Sequence, residues 1–248
     1  VISLATFTAV PRLVRLQQAT ASGASTLLEG IRMLRTEKGL ISVLGVTAFV
    51  NFFFFSASPL LQVVGGKFNV GPALLGLLAA MLGIGMFAGS LGIAHYQPRR
   101  RGLLYVGGSY IAFAFMTGFA LAPWYAASAA FLVLAAVGMG FFGSTQSVLV
   151  MDAVSEQHRG RALGLLSSAI GVLPLGMLVV GEIAEVLGAS RAITISVLTG
   201  AALMTVFLRF RPEASYMSQS VREPTVEKYE QSDLPEGRRP DVFKLKPL

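Results

Sequence analysis

Long uncharged stretches alternate with short charged segments along most of the chain. Residues 125–151 form a run of 27 residues without a formal charge, and residues 162–181 form another of 20. An α-helix rises about 1.5 Å per residue, so about 20 residues cover the roughly 30 Å of a bilayer's hydrocarbon core. The charged segment 152–161 separates the two runs. This pattern predicts two membrane-crossing helices joined by a turn in water.

The same pattern repeats along the chain and predicts six spans in all. Backbone polar groups in lipid need partners within the protein, which leaves helices and closed barrels as spanning structures. The runs are continuously apolar and lack the alternation of period two that barrel strands show. We therefore predict an all-α membrane protein with six transmembrane helices. The predicted spans are residues 39–64, 72–95, 103–122, 125–151, 162–187 and 192–208.

Three further segments flank the predicted bundle. Residues 1–11 are apolar up to Pro11 and predict the end of a truncated preceding transmembrane helix; because the first residue is Val1, we expect the chain to be a fragment. Residues 12–38 predict a cytoplasmic linker with an amphipathic helix on the membrane surface, and a short helix packed beneath the bundle is the alternative. Residues 209–248 are rich in Pro, Glu, Arg and Ser, which predicts a disordered cytoplasmic tail.

Composition and charge support a membrane protein and predict its orientation. Charged residues make up 13% of the chain, against about 25% in an average soluble domain. The net charge of +7 comes from Lys and Arg in short segments between apolar runs, which indicates membrane topology and not nucleic-acid binding. Among residues 1–211, twelve of these residues fall on one side of the six spans and two on the other. The positive-inside rule places the larger set, and the C-terminus, in the cytoplasm of a multi-pass inner-membrane protein.

The residue types needed for most enzymatic chemistry are missing or scattered. There is no cysteine, and His95 and His158 lie in different segments between spans, so we predict no metal site and no cofactor. No Gly-rich phosphate-binding loop and no cluster of catalytic side chains occurs in the sequence. We therefore predict that the protein is not an enzyme.

Three short passages resemble a known family of transporters. They are residues 28–35, LEGIRMLR; residues 158–165, HRGRALGL; and residues 171–176, GVLPLG, followed by Gly181. These passages resemble the branch of the major facilitator superfamily that contains the enterobactin exporter and related bacterial efflux permeases. The resemblance covers about residues 1–210 and implies the C-terminal six-helix half of the superfamily fold. The acidic residue of the superfamily's loop signature is absent here.

The resemblance implies a function and a set of partners. It implies secondary active transport by alternating access, with proton-driven efflux of a small amphipathic compound such as a siderophore or a drug. The implied partners are the lipid bilayer, a small-molecule substrate and an N-terminal six-helix half, either missing or supplied by a separate chain. Because fold does not determine function, the alternative is a non-transporting membrane scaffold or receptor-like protein that retained the transporter fold. A membrane-embedded enzyme is a further alternative, for which the sequence offers few ionisable residues.

Polar side chains inside the predicted spans are the first candidates for substrate contact, because they cost free energy in lipid unless they have partners. We predict that four residues line a substrate cavity: Asn51, Phe55, Gln62 and Gln146. For Asn51 a helix–helix hydrogen bond is an equal alternative.

The remaining candidate residues concern movement and coupling. Pro59 and Pro174 interrupt predicted helices and are candidate gate hinges. Asp152, with Arg159 or Arg161, is a candidate cytoplasmic latch. Glu182 is a candidate proton-coupling carboxylate if it is buried with a raised pKa, and an interfacial anion otherwise.

Overall fold

The computed structural model describes residues 37–96 and 98–217. The predicted helix end at residues 1–11, nearly all of the linker 12–38, and residues 218–248 of the predicted tail lie outside the described residues. All long secondary-structure elements of the described residues are α-helices. In chain order the helices are α1 (Lys38–Phe53), α2 (Leu60–Gly66), α3 (Pro72–Tyr96), α4 (Arg101–Leu121), α5 (Tyr125–Asp152), α6 (Arg159–Ile170), α7 (Leu173–Leu187), α8 (Ala189–Phe210) and α9 (Glu213–Tyr216).

These helices form six spans that are long and apolar enough to cross a membrane. The first span combines α1 and α2, and the fifth combines α6 and α7. Short 3₁₀ turns stand between α1 and α2, at Phe55–Ala57, and before α6, at Glu156–His158. The helices α3, α4, α5 and α8 form the other four spans. The prediction of an all-α membrane protein with six spans is confirmed.

Two helices organise the packing of the bundle. Helix α5 packs along both α3 and α4, while α1 packs against α6, α7 and α8 and also touches α5. The first span is the most buried of the six, and the second and fifth are the least buried. The centre of the described bundle therefore lies where the first, third and fourth spans meet.

Glycines bring α5 into close contact with its neighbours. A Cβ added to Gly108 on α4 would lie 2.5 Å from the carbonyl oxygen of Gly138 on α5, and one added to Gly138 would lie 2.5 Å from that of Gly108. Gly85 on α3 faces α5 in the same way, with Ala136 2.5 Å from an added Cβ. Because apolar surface gains little by leaving lipid, membrane helices associate largely through such close van der Waals packing. These glycines act as packing residues between spans.

The alternation of the spans gives the bundle a basic end and an opposite end. We define the basic end as the end that carries the arginines 99–101, 159, 161, 209 and 211. The opposite end carries Lys67, Trp124 and Arg191.

A short segment after α8 packs across the basic end. The hydroxyl of Ser42 on α1 donates to the carbonyl oxygen of Arg211 at 2.6 Å and accepts the backbone N–H of Ala214 at 3.0 Å. The backbone N–H of Gly102 on α4 donates to the carbonyl oxygen of Met217 at 3.0 Å. Composition had assigned residues 209–217 to a disordered tail. They are ordered here because Ala214 is buried and backbone groups of the segment bond to two spans.

Lys67 joins three spans at the opposite end. Its ammonium donates to the carbonyl oxygen of Ala120, at the end of α4, at 3.0 Å and approaches the hydroxyl of Ser190 on α8 at 3.5 Å. It also lies 4.9 Å from the ring centroid of Phe68. A cation at the C-terminal end of α4 interacts favourably with the unpaired carbonyls of that helix.

Substituting Lys67 with Met is expected to lower the unfolding free energy by about 1 kcal/mol, the net value of a typical hydrogen bond. Partial burial lowers the pKa of Lys67 below its ordinary value of 10.5. Between the lowered pKa of the folded state and 10.5, Lys67 binds more protons in the unfolded chain than in the folded one. The free energy of unfolding therefore rises with pH across this window because of Lys67. Thermal melting across that window should lose this rise in Lys67→Met and keep it in Lys38→Met, an exposed lysine at the other end. An unchanged pH slope in Lys67→Met would contradict the prediction.

Candidate functional site

Four polar side chains meet at the centre of the bundle. We call this cluster the polar node and define it as Thr47 and Asn51 on α1, Tyr105 on α4 and Gln146 on α5. All four are buried, with Thr47 and Tyr105 fully enclosed. Asn51 lies 13 residues into a first span of 29 residues, roughly 20 Å along the helix axis and therefore near its middle. The polar node is thus placed at membrane depth, where polar groups need partners.

A chain of hydrogen bonds connects the polar node across three spans. The amide nitrogen of Gln146 donates to the hydroxyl oxygen of Thr47 at 3.0 Å. The hydroxyls of Thr47 and Tyr105 are 2.7 Å apart, and the Tyr105 hydroxyl donates to the carbonyl oxygen of Val43 at 2.9 Å. The amide nitrogen of Asn51 donates to the carbonyl oxygen of Thr47, one turn earlier on the same helix, at 2.9 Å.

Counting protons gives every bond of this chain a direction. The carbonyl oxygen of Val43 is an acceptor only, so the single hydroxyl proton of Tyr105 goes to it. The hydroxyl of Thr47 must then donate to the Tyr105 oxygen, and Thr47 is left to accept from Gln146. The chain therefore runs from Gln146 through Thr47 and Tyr105 to Val43, and it requires the nitrogen of Gln146 to point toward Thr47.

Packing around Tyr105 holds the polar node in place. The Tyr105 ring stacks on Phe142 of α5, with ring centroids 4.9 Å apart. Ser109, one turn after Tyr105 on α4, bonds to the Tyr105 carbonyl oxygen at 2.9 Å. On α5, the hydroxyl of Thr145 bonds to the carbonyl oxygen of Phe141 in its own helix at 2.8 Å, as serine and threonine commonly do.

The first span is interrupted between α1 and α2, where Pro59 lacks the N–H that would continue the helix. Two of the carbonyl groups that the interruption releases accept hydrogen bonds from serines. Ser58 donates to the carbonyl oxygen of Phe55 from its hydroxyl at 2.5 Å and from its backbone N–H at 3.1 Å. The carbonyl oxygen of Phe53 accepts the hydroxyl of Ser196, from α8, at 3.0 Å.

The fifth span is interrupted close to the same place. Helix α6 ends at Ile170 and α7 begins at Leu173, with Pro174 in its first turn. Two residues later, Gly176 packs directly against the backbone of Phe52 and the side chain of Ser56. The interrupted parts of the first and fifth spans therefore touch each other.

The structure separates the remaining predicted residues from the polar node. Phe55 is half-buried beside the interruption of the first span, and Gln62 on α2 is exposed. Glu182 is exposed on the half of α7 nearer the opposite end, and Asp152 is exposed at the end of α5. The ion pair described near Asp152 joins Arg159 to Glu156 at 3.0 Å.

Thr47 and Tyr105 belong to the polar node but were not predicted as site residues from the sequence. Thr47 lies one helical turn before Asn51, so a search for polar residues at a spacing of four would have included it. Tyr105 lies four residues after Arg101, a position typical of an interfacial aromatic. Its burial comes from contacts with two other spans, which the sequence does not display.

Comparison with known proteins gives the family. No curated protein matches the chain. The sequence model of the Major Facilitator Superfamily matches residues 1–176 and also residues 41–240. These matches cover most of the chain and agree with the six apolar spans. The chain therefore belongs to the Major Facilitator Superfamily and is a multi-pass membrane transporter protein.

Proposed function

We propose that the chain takes part in secondary active transport of a small amphipathic compound across the cytoplasmic membrane. The observation that carries this proposal is the polar node, because polar side chains from three spans meet at mid-bilayer depth in an otherwise apolar bundle. Such intramembrane polar groups are characteristic of substrate pathways. Transporters place their substrate sites near the bilayer midplane, at helices that are interrupted there.

Asn51 and Gln146 are the proposed substrate contacts. Their amide nitrogens are bonded inside the polar node, while each residue keeps a small exposed surface, 5% for Asn51 and 9% for Gln146. Phe55 stands four residues after Asn51 and supplies a half-buried aromatic ring for the apolar part of the compound. Gln62 is proposed as a contact further along the same path, toward the opposite end.

Pro59 and Pro174 are the proposed hinges of alternating access. The interruptions of the first and fifth spans touch, so bending at one displaces the other. Hinges are commonly a few residues at the ends of elements that absorb a change in backbone angles.

Substituting Pro59 with Ala is expected to slow transport roughly ten-fold, equivalent to about 1.4 kcal/mol in the barrier. The physical reason is that alanine restores an N–H and stabilises a continuous helix across the interruption. Initial rates of uptake into inverted vesicles measure the effect. Pro72→Ala is the matched control, because proline at the start of α3 takes the place of an N–H that has no partner within the helix. Equal rates for Pro59→Ala and the unsubstituted protein would remove Pro59 from the mechanism.

We also propose that transport is proton-driven export and that Glu182 carries the coupling proton. Glu182 is exposed in the described bundle, so this role requires that the proposed N-terminal half bury it. The support is its position on a span whose surface is largely uncovered within that bundle. A charge inside the membrane commonly marks an ion or proton pathway. Glu182→Gln is expected to abolish the dependence of export on the pH gradient while substrate binding persists. Glu185→Gln, one turn away on α7, is the control. Unchanged pH dependence in Glu182→Gln would leave Glu182 as an interfacial anion.

A latch at the basic end completes the proposed cycle. We propose that Asp152 pairs with Arg159 or Arg161 when that end closes. Support comes from the Arg159 side chain, whose Nε atom is buried and has no hydrogen-bond partner within the described residues, although its Nη1 atom bonds to Glu156. A charge-reversal pair, Asp152→Arg with Arg159→Asp, should restore transport that Asp152→Arg alone removes.

An N-terminal six-helix half is part of the same proposal. The second and fifth spans leave most of their apolar surface uncovered within the described bundle, which supports a further helical partner. The basic end faces the cytoplasm in this arrangement. The proposed direction of transport is export. It is taken from the resemblance to the branch of efflux permeases that exports siderophores and drugs.

Substrate counterflow in proteoliposomes tests the proposed function. The chain is reconstituted with its N-terminal half, and labelled compound is followed against a preloaded pool. Accelerated exchange that disappears in an Asn51→Leu, Gln146→Leu double variant is the expected result. Binding without any exchange would favour a membrane scaffold or receptor-like protein that retained the transporter fold.

A further inference from the structure

Both amide side chains of the polar node have a determined orientation. The nitrogen of Asn51 faces the carbonyl oxygen of Thr47, which only accepts hydrogen bonds. The nitrogen of Gln146 faces the Thr47 hydroxyl, whose proton is already committed to Tyr105. Rotating either amide by 180° would place two acceptors against each other. Each amide therefore presents its oxygen, and not its nitrogen, away from Thr47.

These two oxygens have spare capacity to accept hydrogen bonds. No donor from the part of the chain that the structure describes reaches either of them, since the one bond of each side chain uses its nitrogen. Neither oxygen belongs to the fully enclosed polar atoms of the described residues that lack partners. Asn51 and Gln146 are more than nine-tenths buried but keep a little exposed surface. A ligand that reaches either amide therefore meets an acceptor oxygen, whose orientation is fixed by the bond of that amide to Thr47.

The charges of the described bundle reinforce this preference. Its lysines and arginines stand at the ends of the spans: Lys38, Lys67, Arg99, Arg100, Arg101, Arg159, Arg161, Arg191, Arg209 and Arg211. Asn51 is roughly 20 Å along the helix from the start of its span, so no cation of this bundle neutralises an anion at the polar node. Within the described bundle, an anionic group at the polar node would meet an amide oxygen without a compensating cation, and burying a charge in that way is strongly unfavourable.

We propose that the polar node selects compounds that carry an N–H donor on an apolar body, such as amines and amides, and rejects carboxylates and other anions. This inference rests on the proposed function and narrows its substrate class. Of the two compound types considered above, it favours drug-like amines and amides over anionic siderophores. The ligand's N–H group bonds the oxygens of Asn51 and Gln146, and its apolar body lies toward Phe55.

A series of four probes with the same tail tests the proposal. Phenylbutylamine and phenylbutyramide carry N–H donors, the trimethylammonium counterpart keeps the positive charge without a donor, and phenylbutyrate carries a negative charge. Binding of each to the full chain in lipid nanodiscs is measured by equilibrium dialysis, with empty nanodiscs subtracted. We expect the two donor probes to bind at least about ten-fold more tightly than the other two, the effect of one or two net hydrogen bonds. Equal binding of amine and trimethylammonium probes, or tightest binding of phenylbutyrate, would overturn the proposal.

Substitutions then assign the selectivity to the polar node. Asn51→Leu and Gln146→Leu are each expected to remove the preference for donors, so that the amine probe no longer binds more tightly than the trimethylammonium probe. Thr145→Val is the matched control, because Thr145 neighbours Gln146 but bonds to carbonyl oxygens of its own helix. Retained donor preference in both Leu variants would contradict the assignment. The comparison of four probes on the unsubstituted chain needs no variant, so a Leu variant that fails to fold does not leave the proposal untested.

The outcome separates this inference from the proposed function. Donor-selective binding with no counterflow would retain the site and reject transport. Counterflow of anionic compounds, with no donor preference, would retain transport and reject the selectivity proposed for the polar node.

Discussion

Replacing Gly138 with valine is expected to lower the unfolding free energy by about 3 kcal/mol, the upper part of the usual range for overpacking. An added Cβ at this position would lie 2.5 Å from the carbonyl oxygen of Gly108 and 2.9 Å from the backbone nitrogen of Ala112. Both atoms belong to the backbone of α4, so no side-chain rotation relieves the contact. The third and fourth spans must move apart, and the packing along their whole length weakens.

The measurement is thermal melting of the purified protein, together with its elution on size exclusion. Gly107→Val is the matched control, because Gly107 neighbours Gly108 on α4 and has nothing within 4 Å of an added Cβ. That variant should melt at or slightly above the temperature of the original, since valine has a higher helix propensity than glycine. Equal melting of Gly138→Val and Gly107→Val would show that α4 and α5 are less closely packed than described.

Truncating Tyr105 to alanine is expected to cost about 3 kcal/mol, the lower end of the range for removing a buried aromatic ring. The lower end applies because transfer between lipid and a protein interior contributes little in a bilayer, which leaves lost dispersion and hydrogen bonding as the main terms. Tyr105 is fully buried and stacks on Phe142, so the truncation opens a void between two spans.

Tyr105→Phe separates the two contributions. It keeps the ring and removes the hydroxyl, so we expect a loss of about 1 kcal/mol. It also leaves the proton of Thr47 without its acceptor. Tyr96→Ala, at an exposed tyrosine, should change stability by less than about 0.5 kcal/mol. Denaturation of the protein in mixed micelles measures all three. A loss in Tyr105→Phe as large as in Tyr105→Ala would mean that the hydrogen bonds, and not the ring, hold the spans together.

The second consequence of Tyr105→Phe concerns ligand selection. Without the Tyr105 oxygen, the Thr47 hydroxyl is free to donate to the amide oxygen of Gln146. The Gln146 amide then rotates so that its oxygen faces Thr47 and its nitrogen faces away. The variant should therefore tolerate acceptor groups that the original rejects. The direction of the hydrogen-bond chain, and not only its presence, gives the polar node its selectivity.

Individual residues show how far the sequence predicted the site. Asn51 and Gln146 were candidates because amides are rare and costly in apolar spans. Their common partner Thr47 was not found, since a threonine in a helix usually bonds its own backbone and carries no signal of its own. Pro59 predicted an interruption, and α1 does end before it. The proline did not predict the contact between this interruption and Gly176 of the fifth span.

For residues 209–217 the prediction from the sequence was wrong, because it missed structure that is present. A composition rich in polar residues and proline predicted disorder from residue 209 onward, yet residues 211–217 pack on the basic end. The backbone carbonyl of Ala214 lies against Gly102, which has no side chain in the way, and the backbone N–H of Ala214 bonds to Ser42. Composition averaged over forty residues does not report such contacts with distant glycine and serine residues.

The sequence by itself determined the class of the protein, the number of spans and the alternation of its charged ends. It did so because lipid imposes a length, a helical backbone and an absence of charge on every span separately, and each of these is a local property. Only the tertiary structure decided which spans meet, which glycines face each other and how the amides of the polar node are turned. Those features depend on partners far apart in the chain, such as Gln146 and Thr47 at a separation of 99 residues. A local pattern contains no record of such a partner, because the energy of the contact exists only once both helices are packed.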